Sequence, residues 1–382
     1  MKTRAITAVL ALILAWSAPA PAPATDAEVR ALLEAVGIKP TKTMRGQMDI
    51  VGFATSASQM DRVVSQCDSL ARSGPTLFGD RTNPGPDSVI SAGLCPHDDY
   101  YYAGRLYSLL LPKVRARTVV IFGVFHKAKA FDCRDKLVFD SFEEWRGPYG
   151  PVKVSALREE ILAELPKSDY VVDNEMQTVE HSVEAIVPFL QAYNRDVEIV
   201  SILVPYMDWN TLDRLASNLS GAIVSICRRS GWTLGRDVCL LSSCDAVHYG
   251  DSGWGGRNYA QFGTDASGYG KAVDRDVELA HTLLSGPVGS EKLREFLYAC
   301  VDQGNVLDYK ITWCGRFSVP FGLSVASRVA ERLESRKLEG RLLDYGTSVS
   351  EASLELGALE GLGATAPNNL HHWVGYAAIA YR

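Results

Sequence analysis

The chain has 382 residues, of which 47% are hydrophobic, 22% charged and 9% aromatic. That is the composition of a globular protein with a buried core, and it excludes disorder, collagen and coiled coil. Its 39 Lys and Arg against 45 Asp and Glu give a formal charge of −6; no Lys/Arg run tracks a phosphate backbone, which argues against nucleic acid as a partner.

Residues 1–24 read MKTRAITAVLALILAWSAPAPAPA. Lys2 and Arg4, an apolar stretch from Ala5 to Trp16 and a small-residue segment with Ala-Pro-Ala spacing form a secretory signal peptide, with cleavage expected after residue 20, 22 or 24. The apolar stretch is shorter than the ~20 residues that span a bilayer, and no transmembrane helix is expected in the mature chain. Loss of Lys2 and Arg4 leaves 37 basic against 45 acidic residues, an acidic exported product, periplasmic or extracellular. Eight cysteines, Cys67, Cys95, Cys133, Cys227, Cys239, Cys244, Cys300 and Cys314, lie in that product without a CxxC. Any disulfide would supplement a core this large rather than create it.

From Asp26 to about Arg72 the pattern is helical, with Val29, Leu32, Leu33 and Val36 on one face and Gly37 as a stop. Residues 25–87 thus form a helical extension ending in the loop SGPTLFGDRTNPGPD (73–87), and 88–382 the main domain. There, strands are expected at 88–94, 118–125, 197–204, 237–243, 341–345 and 374–381. Helices are expected at 102–111, 155–165, 179–193, 212–228, 272–284 and 291–301. Continuous apolar strands such as TVVIFGVF are buried on both faces, which predicts a three-layer α/β/α domain around a largely parallel central sheet.

Ligands of such a sheet sit beyond the carboxyl ends of its strands. His97 in LCPHDDYYYAG, His126 in VVIFGVFHK and His248 in LLSSCDAVHYG follow three predicted strands, so their imidazoles converge on one crevice if those strands are neighbours. The alternative is three half-exposed loop histidines. Cys314, in ITWCGRFSVP, precedes a helical pattern beginning near Val319. The helix dipole would shift it toward thiolate, whereas a small buried hydrophobe or half of a disulfide is the plainer reading. Lys127 reads as a solvated surface lysine or an anion anchor, His371 and His372 as a surface pair, and His281 as an exposed helix residue. Residues 251–270, DSGWGGRNYAQFGTDASGYG, suit a flexible aromatic loop over the cleft.

Five ordered blocks, PHDDYYYAG, GVFHK, EHSVEAIVPFL, DAVHYG and CGR, followed by the closing VGYAAIAYR, resemble the MEMO family, in its AmmeMemoRadiSam system protein B type. The resemblance covers about three quarters of the chain. It implies a fold like that of the class III extradiol dioxygenases, in which two His and a carboxylate hold non-haem iron, with Cys in place of the carboxylate. Carried onto this sequence, it implies His97, His126 and Cys314 as metal ligands, His248 as acid/base and Asp245 as the residue orienting it. It also implies a functional link to a radical SAM protein. Asp98 and Asp99 stand where many relatives have Ala-Gly, which places two carboxylates beside the metal. Glu180 and His181, read as part of one helix with Glu184, are expected near the cleft but outside the ligand set.

The function expected from these residues is a metal-dependent, dioxygenase-like oxidoreductase acting on a small ligand. Its cofactor is one transition metal, Fe(II) or copper, with zinc as the alternative because a thiolate softens the donor set. Two other readings stay open. One is a non-catalytic metal-binding protein whose cleft recognises a peptide or partner protein, although Arg105, Arg257 and Arg316 are the few arginines near the motifs. The other is a metal-free cysteine hydrolase using Cys314 and His248.

Overall fold

The computed structural model describes residues 37–73, 78–79, 89–254, 256–350, 354 and 362–382. The expected signal peptide, the amphipathic stretch at 26–36 and most of the loop at 73–87 lie outside the described residues.

Among the described residues, fourteen strands form one sheet. They are β1 (Met44–Arg45), β2 (Ala92–Cys95), β3 (Thr118–Val124), β4 (Leu137–Phe139), β5 (Glu144–Gly147), β6 (Gly150–Val154), β7 (Tyr170–Val172), β8 (Glu198–Val204), β9 (Val238–Ser243), β10 (Asp245–Gly250), β11 (Gly286–Pro287), β12 (Glu339–Thr347), β13 (Asn368–Asn369) and β14 (His372–Tyr381). The heart of the sheet runs β6-β8-β3-β9-β2, every neighbour parallel. Antiparallel β14 and β12 then extend it beyond β2. The chain is therefore an α/β protein with a large, mostly parallel central sheet, as the apolar strands predict.

Side-chain alternation along a strand divides that sheet between two cores. Val120 and Phe122 of β3 face one core, and Val119 and Ile121 the other. Val200 and Ile202 of β8 join the first, Ile199 and Leu203 the second. The first core is roofed by α6 (Trp209–Ser230), α8 (Ser290–Cys300) and α9 (Ser318–Glu334), the second by α1 (Ala57–Ser73), α2 (Tyr100–Leu110) and α5 (Ile186–Tyr193). The remaining α-helices among the described residues are α3 (Leu157–Glu164), α4 (Asn174–Thr178) and α7 (Ala266–Thr282). Asp208 and Asp265 cap α6 and α7 through their side chains, satisfying backbone donors that would otherwise be orphaned.

Two expectations for local structure are corrected. Of the extension, only Ala57–Ser73 is helical among the described residues; Met44–Arg45 instead pairs in parallel with β5. Met60, Val63 and Cys67 of α1 are buried in the core that α2 and α5 share, so this segment packs as part of the α/β layer. The helix expected over 179–193 begins only at Ile186. Pro188 explains this: it sits in the first turn of α5, where proline is tolerated, whereas in a helix begun at Val179 its ring would collide with the carbonyl of residue 184.

All eight cysteines are free thiols, seven of them buried. No helix among the described residues is long and apolar enough to cross a membrane.

Phe122 is fully buried and meets Phe321 edge-on at 5.5 Å between ring centroids, joining β3 to α9. Phe122→Ala is expected to cost about 3–5 kcal/mol, read as a lowered urea midpoint with an unchanged slope.

Candidate metal centre

The site grows out of strand order. Strand β9 inserts between β3 and β2, with Phe122 paired to Ser242 and Cys95 to Ser243, so the three strands end at one level. His126 follows β3, Asp245 follows β9 and His97 follows β2, and their side chains meet. The His97 and His126 ring centroids are 5.2 Å apart.

Each of these two imidazoles is held in one tautomer. The Ser243 hydroxyl donates to the Ser182 carbonyl at 2.6 Å, which leaves its oxygen to accept from His97 Nδ1 at 2.8 Å. His97 therefore carries its proton on Nδ1, which leaves Nε2 as an acceptor. His126 Nδ1 donates to Glu180 Oε1 at 2.9 Å, and its backbone N–H to Oε2 at 2.7 Å. Glu180 Oε1 also accepts from the N–H groups of His181 and Ser182. Burial alone would raise this carboxyl; His126 and the converging N–H donors hold it well below the usual carboxylate range. An ionised Glu180 thus orients His126 with Nε2 free, the arrangement that metal-ligating histidines use.

Segment 180–185 lies against the end of β3 because Gly123 makes room. A Cβ there would come within 2.6 Å of Val183 and 3.0 Å of the Ser182 hydroxyl, which donates to the Val124 carbonyl at 2.8 Å. His181 consequently enters the cleft, its ring 5.1 Å from His126 and 5.6 Å from His97. Glu184 turns away to Arg45, 3.0 Å off. The sequence signals for this arrangement were Pro188, which forbids a continuous helix, and the adjacency of His181 to Glu180.

Asp245 is fixed by His97. Its Oδ1 accepts the His97 backbone N–H at 2.8 Å, and its Oδ2 lies 3.2 Å from His97 Nε2. Burial pushes its carboxyl up to about 7, so below that pH Oδ2 carries a proton that it can donate to His97 Nε2. The expectation that Asp245 orients His248 is corrected: the β10–β14 register shifts between these two residues, and the contact made by the His248 ring is Nε2 to Cys314 Sγ at 3.0 Å. Burial, followed by the crowding of neighbouring histidines, holds both His97 and His248 well below the usual imidazole value.

Cys314 forms no disulfide. Helix α9 starts four residues after it, and burial drives the thiol well above its ordinary value. The dipole effect expected from the sequence is outweighed; the thiol holds its proton beside His248 Nε2 until something replaces that proton.

Asp98 accepts from the Tyr376 hydroxyl at 2.8 Å and is pushed up to about 7, by burial first and by Asp245 second. Asp99 points the other way: its carboxylate accepts from Ala366 N–H at 2.8 Å and from Thr365, tying the start of α2 to the segment before β14. Three surface assignments are also settled. His281 is exposed as expected. His372 is buried and packs on Trp254 at 4.6 Å, whereas His371 is exposed and pairs with Asp251 at 2.9 Å. Lys127 is 5% exposed, and burial brings it down to about 8. The aromatic loop covers the cleft, with Trp254 6.2 Å from His248 and 5.2 Å from Tyr259. Of the nearby arginines, Arg105 is paired with Asp344 at 2.7 Å, and Arg316 lies over Tyr309 at 3.8 Å.

Two donor groups suit a metal, His97–His126–His181 and His97–Asp245–Cys314, the ligand atoms of each lying within 4.8 Å of one another. Imidazole and thiol donors favour a transition metal over magnesium or calcium. Two imidazoles whose Nδ1 contacts turn Nε2 toward the donor groups, and the His181 Nδ1, buried with no hydrogen-bond partner among the described residues, fit such an ion.

The chain is an α/β protein with a mostly parallel sheet, and groups of His, Asp and Cys that could hold a metal gather at its strand ends. The family model of Memo-like proteins matches residues 69–357, and the chain belongs to that family. It is similar to MEMO1 family proteins of Archaeoglobus fulgidus (32% identical over 176 residues, 45% of this chain and 60% of that protein) and Thermococcus kodakarensis (29% over 184 residues, 46% and 58%). A third, from Pyrococcus horikoshii, is 28% identical over 192 residues, 48% of this chain and 61% of its own. The matches span about three fifths of the length of these curated relatives.

Because the folded state holds Lys127 at about 8, below its unfolded value of roughly 10.4, its neutral form favours the native protein. This contribution is complete above the unfolded value and is lost as pH falls through 8. In chelator-treated protein, urea midpoints measured from pH 8 to 10.5 are expected to rise less steeply for Lys127→Met than for wild type.

Proposed function

We propose that this chain is an exported metal-binding enzyme of the Memo-like family. It carries out a dioxygenase-like oxidation of a small ligand, with iron or copper, or alternatively zinc, held by His97, His126 and Cys314. The observation that carries this reading is the pair of imidazoles whose rings lie 5.2 Å apart beyond the ends of β2 and β3, each with Nδ1 engaged by an oxygen so that Nε2 is the nitrogen left to ligate. When bound, iron or copper supplies Lewis acidity and one-electron redox capacity.

The protein's own groups manage protons and position. His248 Nε2, 3.0 Å from Cys314 Sγ, is the acid/base that relays the thiol proton toward solvent when the sulfur ligates, burial keeping that imidazole neutral between transfers. The proton between Asp245 Oδ2 and His97 Nε2 leaves when Nε2 is engaged. Metal uptake therefore releases protons, and metal affinity should rise as pH increases through about 7, the value to which burial pushes Asp245. Trp254 over His248, with Tyr259 behind it, offers an aromatic wall that suits a planar phenolic ligand and keeps water from the reacting centre. Export rests on residues 1–24, and N-terminal sequencing of the secreted or periplasmic protein should begin after residue 20, 22 or 24.

Metal analysis of the purified protein tests the reading. About one iron or copper per chain is expected, lost in His97→Ala, His126→Ala and Cys314→Ala while the thermal melt stays cooperative. The iron-loaded protein under oxygen should consume catechol. Stoichiometric metal without turnover of any phenolic ligand would reassign the chain as a metal-binding, partner-recognising protein; activity that survives chelation would overturn the metal reading altogether.

A further inference from the structure

His181 stands apart from the residues assigned above. Its ring completes a triangle with His97 and His126, with centroid separations of 5.1, 5.2 and 5.6 Å and all three donor atoms within 4.8 Å of one another. A buried imidazole nitrogen normally finds a partner, and an orphan calls for an explanation such as an ion. His181 Nδ1 is such an orphan among the described residues.

The triangle is organised by three consecutive residues. Glu180 fixes His126 through Nδ1. The Ser182 carbonyl accepts from Ser243, whose hydroxyl oxygen accepts from His97 Nδ1. His181 lies between them, its backbone N–H bound to the same Glu180 oxygen that holds His126. One short segment therefore sets the position of all three rings. Cys314, by contrast, groups with His97 and Asp245, and its sulfur lies against His248.

We propose that His181 is a direct metal ligand, so that the preformed side of the centre consists of three imidazoles and Cys314 approaches from the other side. This rests on the metal-binding reading above and enlarges its ligand set by one nitrogen. Neutral imidazoles suit copper, zinc and iron alike, so the claim concerns donor number and not metal identity.

The test uses the full mature chain carrying Cys314→Ser, which prevents the thiol from reducing the probe, loaded with half an equivalent of copper(II). Pulsed electron paramagnetic resonance counts the coupled imidazole nitrogens. Three are expected, falling to two on adding His181→Gln, with at least a 10-fold loss of copper affinity in chelator competition. Two coupled imidazoles in the protein that retains His181 would overturn the proposal while leaving the metal centre standing, and this count does not depend on the double variant folding. Failure of both the wild-type and the Cys314→Ser protein to bind copper would remove the metal reading, and the third imidazole with it.

Discussion

The constraint on which the rest depends is the level at which β2, β9 and β3 end. Parallel neighbours with Cys95 opposite Ser243 and Phe122 opposite Ser242 must release the following residues side by side. A slip of one residue in β9 would turn each of its side chains to the opposite core and carry Ser243 away from His97. Register is fixed because both faces of these strands are buried, so the apolar alternation that stabilises the fold also fixes the separation of the imidazoles. The polar residues add orientation to that separation. Ser243 and Glu180 each engage one Nδ1, which converts two nearby rings into two directed donors.

The electrostatics of the cleft follow from burial. Asp245 and Asp98 are pushed up to about 7, and His97 and His248 are held well below their ordinary value, so near neutral pH these two imidazoles are uncharged and the two carboxyls exchange protons. Glu180 is the exception, ionised because backbone donors and His126 converge on it. A cleft with a protonated thiol, carboxyls that titrate near 7 and one fixed carboxylate outside the donor set is poised to exchange protons for a cation.

Much of this was legible in the sequence. Apolar runs such as TVVIFGVF located the buried strands, and the rule that ligands gather beyond strand ends led to His97 and His126 without any coordinates. What could not be read was tertiary cover. Lys127 and His372 look like surface residues because each lies in a polar loop; they are buried because other parts of the chain fold over them, Trp254 in the case of His372. The side-chain partners of Asp245 were misjudged for a similar reason, since a register shift within β10 has no sequence signature. Segment 180–185 differs, because Pro188 already excluded the continuous helix that kept His181 out of the expected ligand set. The helix-dipole argument for Cys314 failed on magnitude, burial being the larger effect.

The most direct measurement is a crystal structure of the metal-loaded protein with anomalous diffraction collected at the metal's absorption edge. The account predicts a single strong anomalous peak beyond the ends of β2, β9 and β3, at about 2.0–2.1 Å from His97 Nε2 and His126 Nε2, as expected for metal–imidazole bonds. A peak elsewhere on the chain, with Nε2 of both rings engaged by protein or water instead, would contradict it.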